Sequence, residues 1–193
     1  MVKVVAILGS PRRKGNSDYM LEVFLGTPTA QSHVETIIPS EMNLQFCRGC
    51  RFCEKTGYCI LQDDMKNALE KLLSADQIVL STPVFFYGVP APLKAFIDRT
   101  QVLWARRYLL KEEFPPKEGF LLAVGATQGE RLFEGVLLTV RYFFDAFRCT
   151  LKGHLFMRGF DLQGSIRECQ ACLTEIRKAG ELFLSRREPS EPS

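Results

Sequence analysis

The sequence predicts an α/β domain built on a doubly wound, five-stranded parallel sheet with helices on both faces. Two observations predict it. Short β-branched runs alternate with longer stretches of helical period, as in parallel sheets covered on both sides. The run Gln77-Ile78-Val79-Leu80-Ser81 lacks polar alternation, as expected of a central strand buried on both faces. With 193 residues, 46% of them hydrophobic, the chain can bury one sizeable core. One domain over residues 1–186 is expected, followed by a tail, 187–193, without an apolar anchor and so expected to be disordered.

The elements follow in order. A first strand, Lys3 to Leu8, closes at Gly9-Ser10-Pro11, and a helix opens near Asn16 or Ser17, both good N-caps, with Met20, Leu21, Phe24 and Leu25 at helical spacing. Val34 to Ile38 forms the second strand, but a cysteine-rich loop at 46–62 replaces the helix that should come next. A helix resumes at Asp63 or Asp64, whose carboxylates suit a first turn, with an apolar face of Met65, Leu69, Leu72 and Leu73. The third strand, Gln77 to Ser81, leads into a long loop, Thr82 to Pro92. A helix from Leu93 to about Trp104, a strand from Phe120 to Val124 and a helix from about Glu130 to Ala146 come next. A fifth strand near Leu155 and a helix from Ser165 to about Leu184 complete the pattern.

Composition excludes some partners. Lys and Arg total 25 against 22 Asp and Glu, and the formal charge of +3 is spread without a basic stripe, so no nucleic acid is expected. No apolar stretch approaches the roughly 20 residues that span a bilayer, and the amino-terminal run lacks the layout of a signal peptide. A cytoplasmic protein is expected, in which seven cysteines serve as ligands or reactive groups before disulfides.

In an open doubly wound sheet, ligands lie outside the carboxyl ends of the strands. The loop Gly9-Ser10-Pro11-Arg12-Arg13-Lys14-Gly15-Asn16-Ser17 sets hydroxyls, an amide and cations between a strand and a helix N-terminus, where backbone N–H groups favour a phosphate dianion. Neither the Walker nor the dinucleotide glycine pattern is present, and an ordinary polar turn would read similarly. The second loop, Thr82-Pro83-Val84-Phe85-Phe86-Tyr87-Gly88-Val89-Pro90-Ala91-Pro92, is aromatic where a solvated loop would be expected. A flat, largely apolar isoalloxazine ring could pack on it, although core or subunit-interface packing would also use such residues.

These two segments, with Pro90-Ala91-Pro92-Leu93-Lys94-Ala95-Phe96-Ile97-Asp98-Arg99, resemble the NADPH-dependent FMN reductases of flavodoxin-like fold over about the first hundred residues. The resemblance implies that Ser10, Arg12, Asn16 and Ser17 hold the FMN phosphate. It implies that Pro83, Val84, Phe85, Phe86, Tyr87 and Gly88 surround the isoalloxazine. Gly125-Ala126-Thr127-Gln128-Gly129 falls where the family makes further flavin contacts, and NAD(P)H is the implied donor.

Cys47, Cys50, Cys53 and Cys59 place four thiols within thirteen residues, with Gly49 and Gly57 giving the backbone freedom to wrap. Cysteines two residues apart in a row resemble the run that holds a cubane cluster in bacterial ferredoxins, and the spacing resembles the iron-sulfur flavoproteins. A [4Fe-4S] cluster is the expectation. The fourth cysteine follows after five residues and precedes Ile60, unlike the ferredoxin run, so zinc or a metal-free thiol loop stays open. Cys169 and Cys172 fall in a helical pattern and are expected to pack on one face as free thiols, as is Cys149. His33 and His154 are expected to be unremarkable histidines, and Trp104 with Arg106, Arg107 and Tyr108 to lie at a surface or interface.

The sequence thus reads as an FMN-dependent oxidoreductase passing electrons through FMN and a cluster between a donor and a small-molecule or protein acceptor. Alternatives are a cluster-free NAD(P)H-dependent flavin, quinone or azo reductase, and a non-catalytic electron carrier. The apolar loop and the segment from Trp104 to Leu110 suggest a homodimer or homotetramer with flavin near an interface.

Overall fold

The computed structural model describes residues 2–26 and 32–185; the tail expected to be disordered lies outside them. Five strands, β1 (Val2–Leu8), β2 (Ser32–Ile37), β3 (Gln77–Pro83), β4 (Lys117–Gly125) and β5 (Cys149–Arg158), form one parallel sheet in the order β2-β1-β3-β4-β5. The helices are α1 (Asn16–Leu25), α2 (Phe52–Thr56), α3 (Met65–Ser74), α4 (Ala91–Arg99), α5 (Gln101–Trp104), α6 (Glu134–Asp145) and α7 (Gln170–Leu184).

Strand periodicity builds two cores. On β1, Val5 and Ile7 face one side with Ile78, Leu80, Leu121 and Ala123, and meet Leu72, Phe96, Leu103, Val140 and Phe144 from α3 to α6. Val4, Ala6 and Leu8 face the other side with Val79, Leu122 and Val124, and meet Met20 and Phe24 of α1 and Ile176 and Phe183 of α7. Residues alternate because successive side chains leave a strand on opposite faces. Strand order reverses between β1 and β3: the chain winds from β1 outward to β2, then crosses back to β3 on β1's other side. Ligands of doubly wound sheets lie at that reversal.

The structure moves several boundaries. β3 runs on through Thr82 and Pro83, which pair with Ala123 and Val124, so the aromatic loop begins two residues later. Helix α4 starts at Ala91 with proline in its first turn, where the missing N–H costs no helical bond. It ends at Arg99, and the expected helix to Trp104 continues only as α5 and a π-helical turn, Ala105–Leu109. Helix α6 starts at Glu134 rather than near Glu130.

Cys169 and Cys172 are not free packing residues: they form a disulfide. Cys169 is the N-cap of α7 with a non-helical backbone, φ -88° and ψ 85°, outside the helix, and a 3-10 turn, Ser165–Glu168, precedes it. From there its sulfur reaches Cys172 in the first turn and accepts the Cys172 N–H at 3.3 Å. Helical spacing had placed both thiols on one continuous helix. Cys149 is a free, buried thiol at the start of β5, as expected.

Candidate functional site

Three loops converge on a cleft of about 140 Å³ at the carboxyl ends of β1, β3 and β4. The register brings them there: Leu8 pairs with Ser81, and Pro83 with Val124, so β1, β3 and β4 end together. Ser10, Arg12, Asn16 and Ser17 line the cleft, opposite Pro83, Val84 and Phe85, with Val124, Gly125 and Ala126 between them. Phe160, Asp161 and Gln163 close the remaining side. The sequence reading did not select this segment. Its one available signal was position, immediately after the strand beside β4.

Helix α1 has Gly15 as its N-cap and no side-chain cap, leaving the N–H groups of its first turn without helical partners beside the cleft. Ser10 Oγ accepts the Arg12 N–H at 3.1 Å and donates to the Arg12 carbonyl at 2.7 Å, which folds the loop back toward the helix. Asp18 bonds the Lys14 N–H at 2.7 Å and pairs with Arg13 at 3.0 Å. Burial pushes its carboxyl above the usual range, against the pull of Arg13.

Asn16 is placed differently from a phosphate donor. Its amide nitrogen donates to the carbonyls of Phe160 and Leu162 at 3.3 and 2.9 Å, and its oxygen accepts the Ile166 N–H at 3.1 Å. The side chain ties α1 to the 160–166 segment and leaves no amide hydrogen for a ligand. Gln163 reaches the opposite way, donating to the Arg13 carbonyl at 3.0 Å. Each segment thus holds the other in place around the cleft.

The aromatic loop is a tight hairpin. Phe85 and Gly88 exchange both backbone bonds at 2.9 Å, with Phe86 and Tyr87 at its tip in left-handed conformations, φ 49° and 60°. That turn normally takes Asn-Gly, and bulky residues at positive φ are strained. Val84 bonds the Val124 carbonyl, fixing the hairpin to β4. Phe86 is fully exposed and Tyr87 half exposed, so of the six expected ring contacts Pro83, Val84 and Phe85 line the cleft while Phe86, Tyr87 and Gly88 form its rim. A Cβ on Gly135 would come within 2.3 Å of the Tyr87 carbonyl oxygen, so only glycine lets the start of α6 support this turn.

The four cysteines of the loop share a second cavity, of about 610 Å³, which Asp98 and Arg99 at the end of α4 and Gln101 and Val102 of α5 wall. Left-handed Gly49, Arg51 and Gly57, with α2 between the last two, wrap the chain around it. Cys47 and Cys50 are exposed, Cys53 and Cys59 half-buried. Burial raises the Cys53 thiol above its ordinary value, and Cys59, Cys47 and Cys50 add to the rise. Among the described residues no three His, Cys, Asp or Glu side chains converge closely enough to hold a metal ion.

Below the cavity lies a buried ion pair. Arg99 Nη1 and Nη2 donate to the two Asp63 carboxylate oxygens at 2.6 and 3.0 Å, with both side chains about 1% exposed. Asp63 also accepts the N–H groups of Gln45 and Met65, and Arg99 donates to the Gln45 carbonyl at 2.6 Å. Burial pushes Asp63 up, but its bonds from Arg99, Gln45 and Met65 outweigh that and hold the carboxyl below the usual range.

Among the described residues no helix is long and apolar enough to cross a membrane. The chain is 36% identical over 129 residues to an iron-sulfur flavoprotein of Methanocaldococcus jannaschii, covering 66% of this chain and 64% of that relative. It is 30% identical over 128 residues to an iron-sulfur flavoprotein of Methanosarcina thermophila, covering 66% and 65%. The matched segments thus span just under two thirds of these relatives. Among solved structures, an NAD(P)H:quinone oxidoreductase of Methanothermobacter marburgensis superposes with a TM-score of 0.70 at 22% identity, covering 97% of this chain and 98% of that one, a likeness of fold. The family model for NADPH-dependent FMN reductase matches residues 2–148, and the chain belongs to that family.

Proposed function

We propose that this chain is an FMN-dependent oxidoreductase that also carries a [4Fe-4S] cluster, with a nicotinamide or a protein as electron donor and a small molecule or protein as acceptor. The observation that carries the reading is the pairing of two separate cavities. One sits at the helix N-terminus and aromatic hairpin, and the other is lined by all four closely spaced thiols.

The residues fit both groups. The N–H groups at the start of α1, which have no helical partners, suit the phosphate with Arg12 beside them; Ser10 and Asn16 hold that loop in shape, while Pro83, Val84 and Phe85 offer a wall to the ring. For the cysteines, one zinc ion would draw the sulfurs to about 3.8 Å apart, given Zn–S bonds near 2.3 Å. A cubane binds each thiolate at a separate iron and needs more room than a single ion, and the four thiols line a cavity of about 610 Å³. Arg99 is part of the same wall, and its buried Nε, which has no hydrogen-bond partner, is a donor suited to sulfur. Bound FMN accepts two electrons as a hydride and releases them singly, and a cubane carries one at a time, so together they join two-electron and one-electron partners. The nine residues of α4 separate hairpin from cysteine cavity by about 13 Å of helix.

The names of the two iron-sulfur relatives support the cluster. A cluster-free, NAD(P)H-dependent quinone-reductase type remains the second reading, favoured by the lack of three metal-spaced side chains among the described residues. We place the expected self-association at the exposed Phe86 and Tyr87 of the hairpin and at Tyr58, Trp104 and Tyr108, which would bring a partner copy over the flavin rim.

Anaerobic purification with flavin, iron and acid-labile sulfide counted tests this reading. Stoichiometric FMN with about four iron and four sulfide per chain is expected. FMN without sulfide, with steady NADPH oxidation, would favour the second reading. Absence of flavin would overturn both.

A further inference from the structure

The buried arginine at the end of α4 is more than a structural ion pair. Its bonds to Asp63 and Gln45 use only the two terminal nitrogens, and Nε–H is left buried without a hydrogen-bond partner. A buried N–H without an acceptor is costly, so its retention asks for a partner that arrives later. Arg99 lines the cavity shared by Cys47, Cys50, Cys53 and Cys59. Arg99 shares that lining with all four thiols, and Ile60 and Leu61 carry the chain on from Cys59 along the same wall.

The same group fixes both ends of the cysteine loop. Gln45, two residues before Cys47, gives its N–H to Asp63 at 3.0 Å and takes Arg99 at 2.6 Å on its carbonyl. Asp63 stands four residues after Cys59, and the adjacent Asn43 and Asp64 close the neck of the loop with bonds of 2.7 and 3.2 Å. A bidentate Arg–carboxylate fork fixes orientation as well as distance, which a lysine would not do.

We propose that Arg99, anchored by Asp63, is a positioning residue for the iron-sulfur centre: it closes the cysteine loop and directs its free N–H at a cysteine sulfur of that cavity, making the bound cluster easier to reduce. This rests on the cluster reading above. An N–H aimed at a cysteinyl sulfur withdraws charge from the thiolate and favours the more negative, reduced state; hydrogen bonds to sulfur and local charge are among the determinants of cluster potential. The Asp63 carboxylate offsets the charge of the guanidinium, so the N–H dipole supplies most of the effect.

The test uses full-length protein loaded with its cluster under anaerobic conditions and reduced by one electron per cluster with dithionite. In wild type grown on ¹⁵N-arginine, pulsed electron paramagnetic resonance should show weak hyperfine coupling from one arginine nitrogen. Arg99→Lys should lose that coupling while FMN stays bound. Its cluster should be about tenfold less reduced at a fixed poise, a shift of 59 mV for one electron. If Arg99→Lys fails to fold, the wild-type coupling alone decides: its presence supports the proposal and its absence overturns it. An intact cluster with no coupling and an unchanged potential overturns this proposal alone. A wild type without acid-labile sulfide overturns the cluster reading and this inference with it.

Discussion

Asn16→Ala separates two ways in which a polar residue at a phosphate loop can act. A ligand to the phosphate would make its loss fall on FMN and spare the apoprotein. The structure instead commits the side chain to three protein bonds, to the Phe160 and Leu162 carbonyls and from the Ile166 N–H, at 8% exposure. Each such bond contributes about 0.5–1.5 kcal/mol net, so alanine should cost roughly 3 kcal/mol of apoprotein stability. For a chain of this size that lowers the melting temperature by about 6–12 °C. FMN and riboflavin should both bind more weakly, by similar factors, because the damage is to the shape of the cleft rather than to a contact with phosphate. The assay is thermal unfolding of flavin-free protein by circular dichroism, with fluorescence titration of both flavins. An unchanged melting temperature, with FMN weakened and riboflavin unaffected, would refute the structural role and restore Asn16 as a phosphate ligand.

Gly135→Ala drives a methyl into the Tyr87 carbonyl, and overpacking of this kind costs about 1–3 kcal/mol; the hairpin must move, so flavin titration should show weaker binding for a variant that still folds. The stability that Asp63 contributes is present above its ordinary value of 3.8 and is lost as pH falls through its lower folded value. Chemical denaturation of wild type and Asp63→Asn should therefore differ by about 3–5 kcal/mol at neutral pH, a gap that closes below that value; a gap independent of pH would show that the charge is not responsible. Among the free thiols, Cys47 and Cys50 should alkylate readily in metal-free native protein while Cys149 stays unmodified until unfolding, since burial pushes its thiol far up and Lys117 only partly opposes. Mass spectrometry of the alkylated peptides reads this directly. Reducing the Cys169–Cys172 disulfide should cost no more than about 2 kcal/mol, because it closes a loop of only four residues.

The order of elements, the doubly wound sheet and the two loops of the cleft were legible in the sequence, because each depends on local signals. A both-faces-buried strand reads as an unbroken apolar run, and a glycine-bearing turn before a helix reads as an anion loop. The Cys-x-x-Cys-x-x-Cys spacing marks a single loop, and the structure sets its thiols around one cavity. Tertiary structure decided what depends on distant partners. Asn16 looked like a ligand because its donors are visible in sequence, whereas the carbonyls that consume them lie some 145 residues away. Phe160, Asp161 and Gln163 reach the cleft only because β5 pairs with β4. The split of the last helix at Cys169, and so the disulfide, follows from a non-helical backbone at its N-cap that helical periodicity does not report. Arg99 sits in a plausible helical pattern, and only the buried carboxylate of Asp63, 36 residues earlier, turns it into the floor of the cysteine cavity. A residue's type and spacing set which bonds it can make, but which it does make is set by long-range packing.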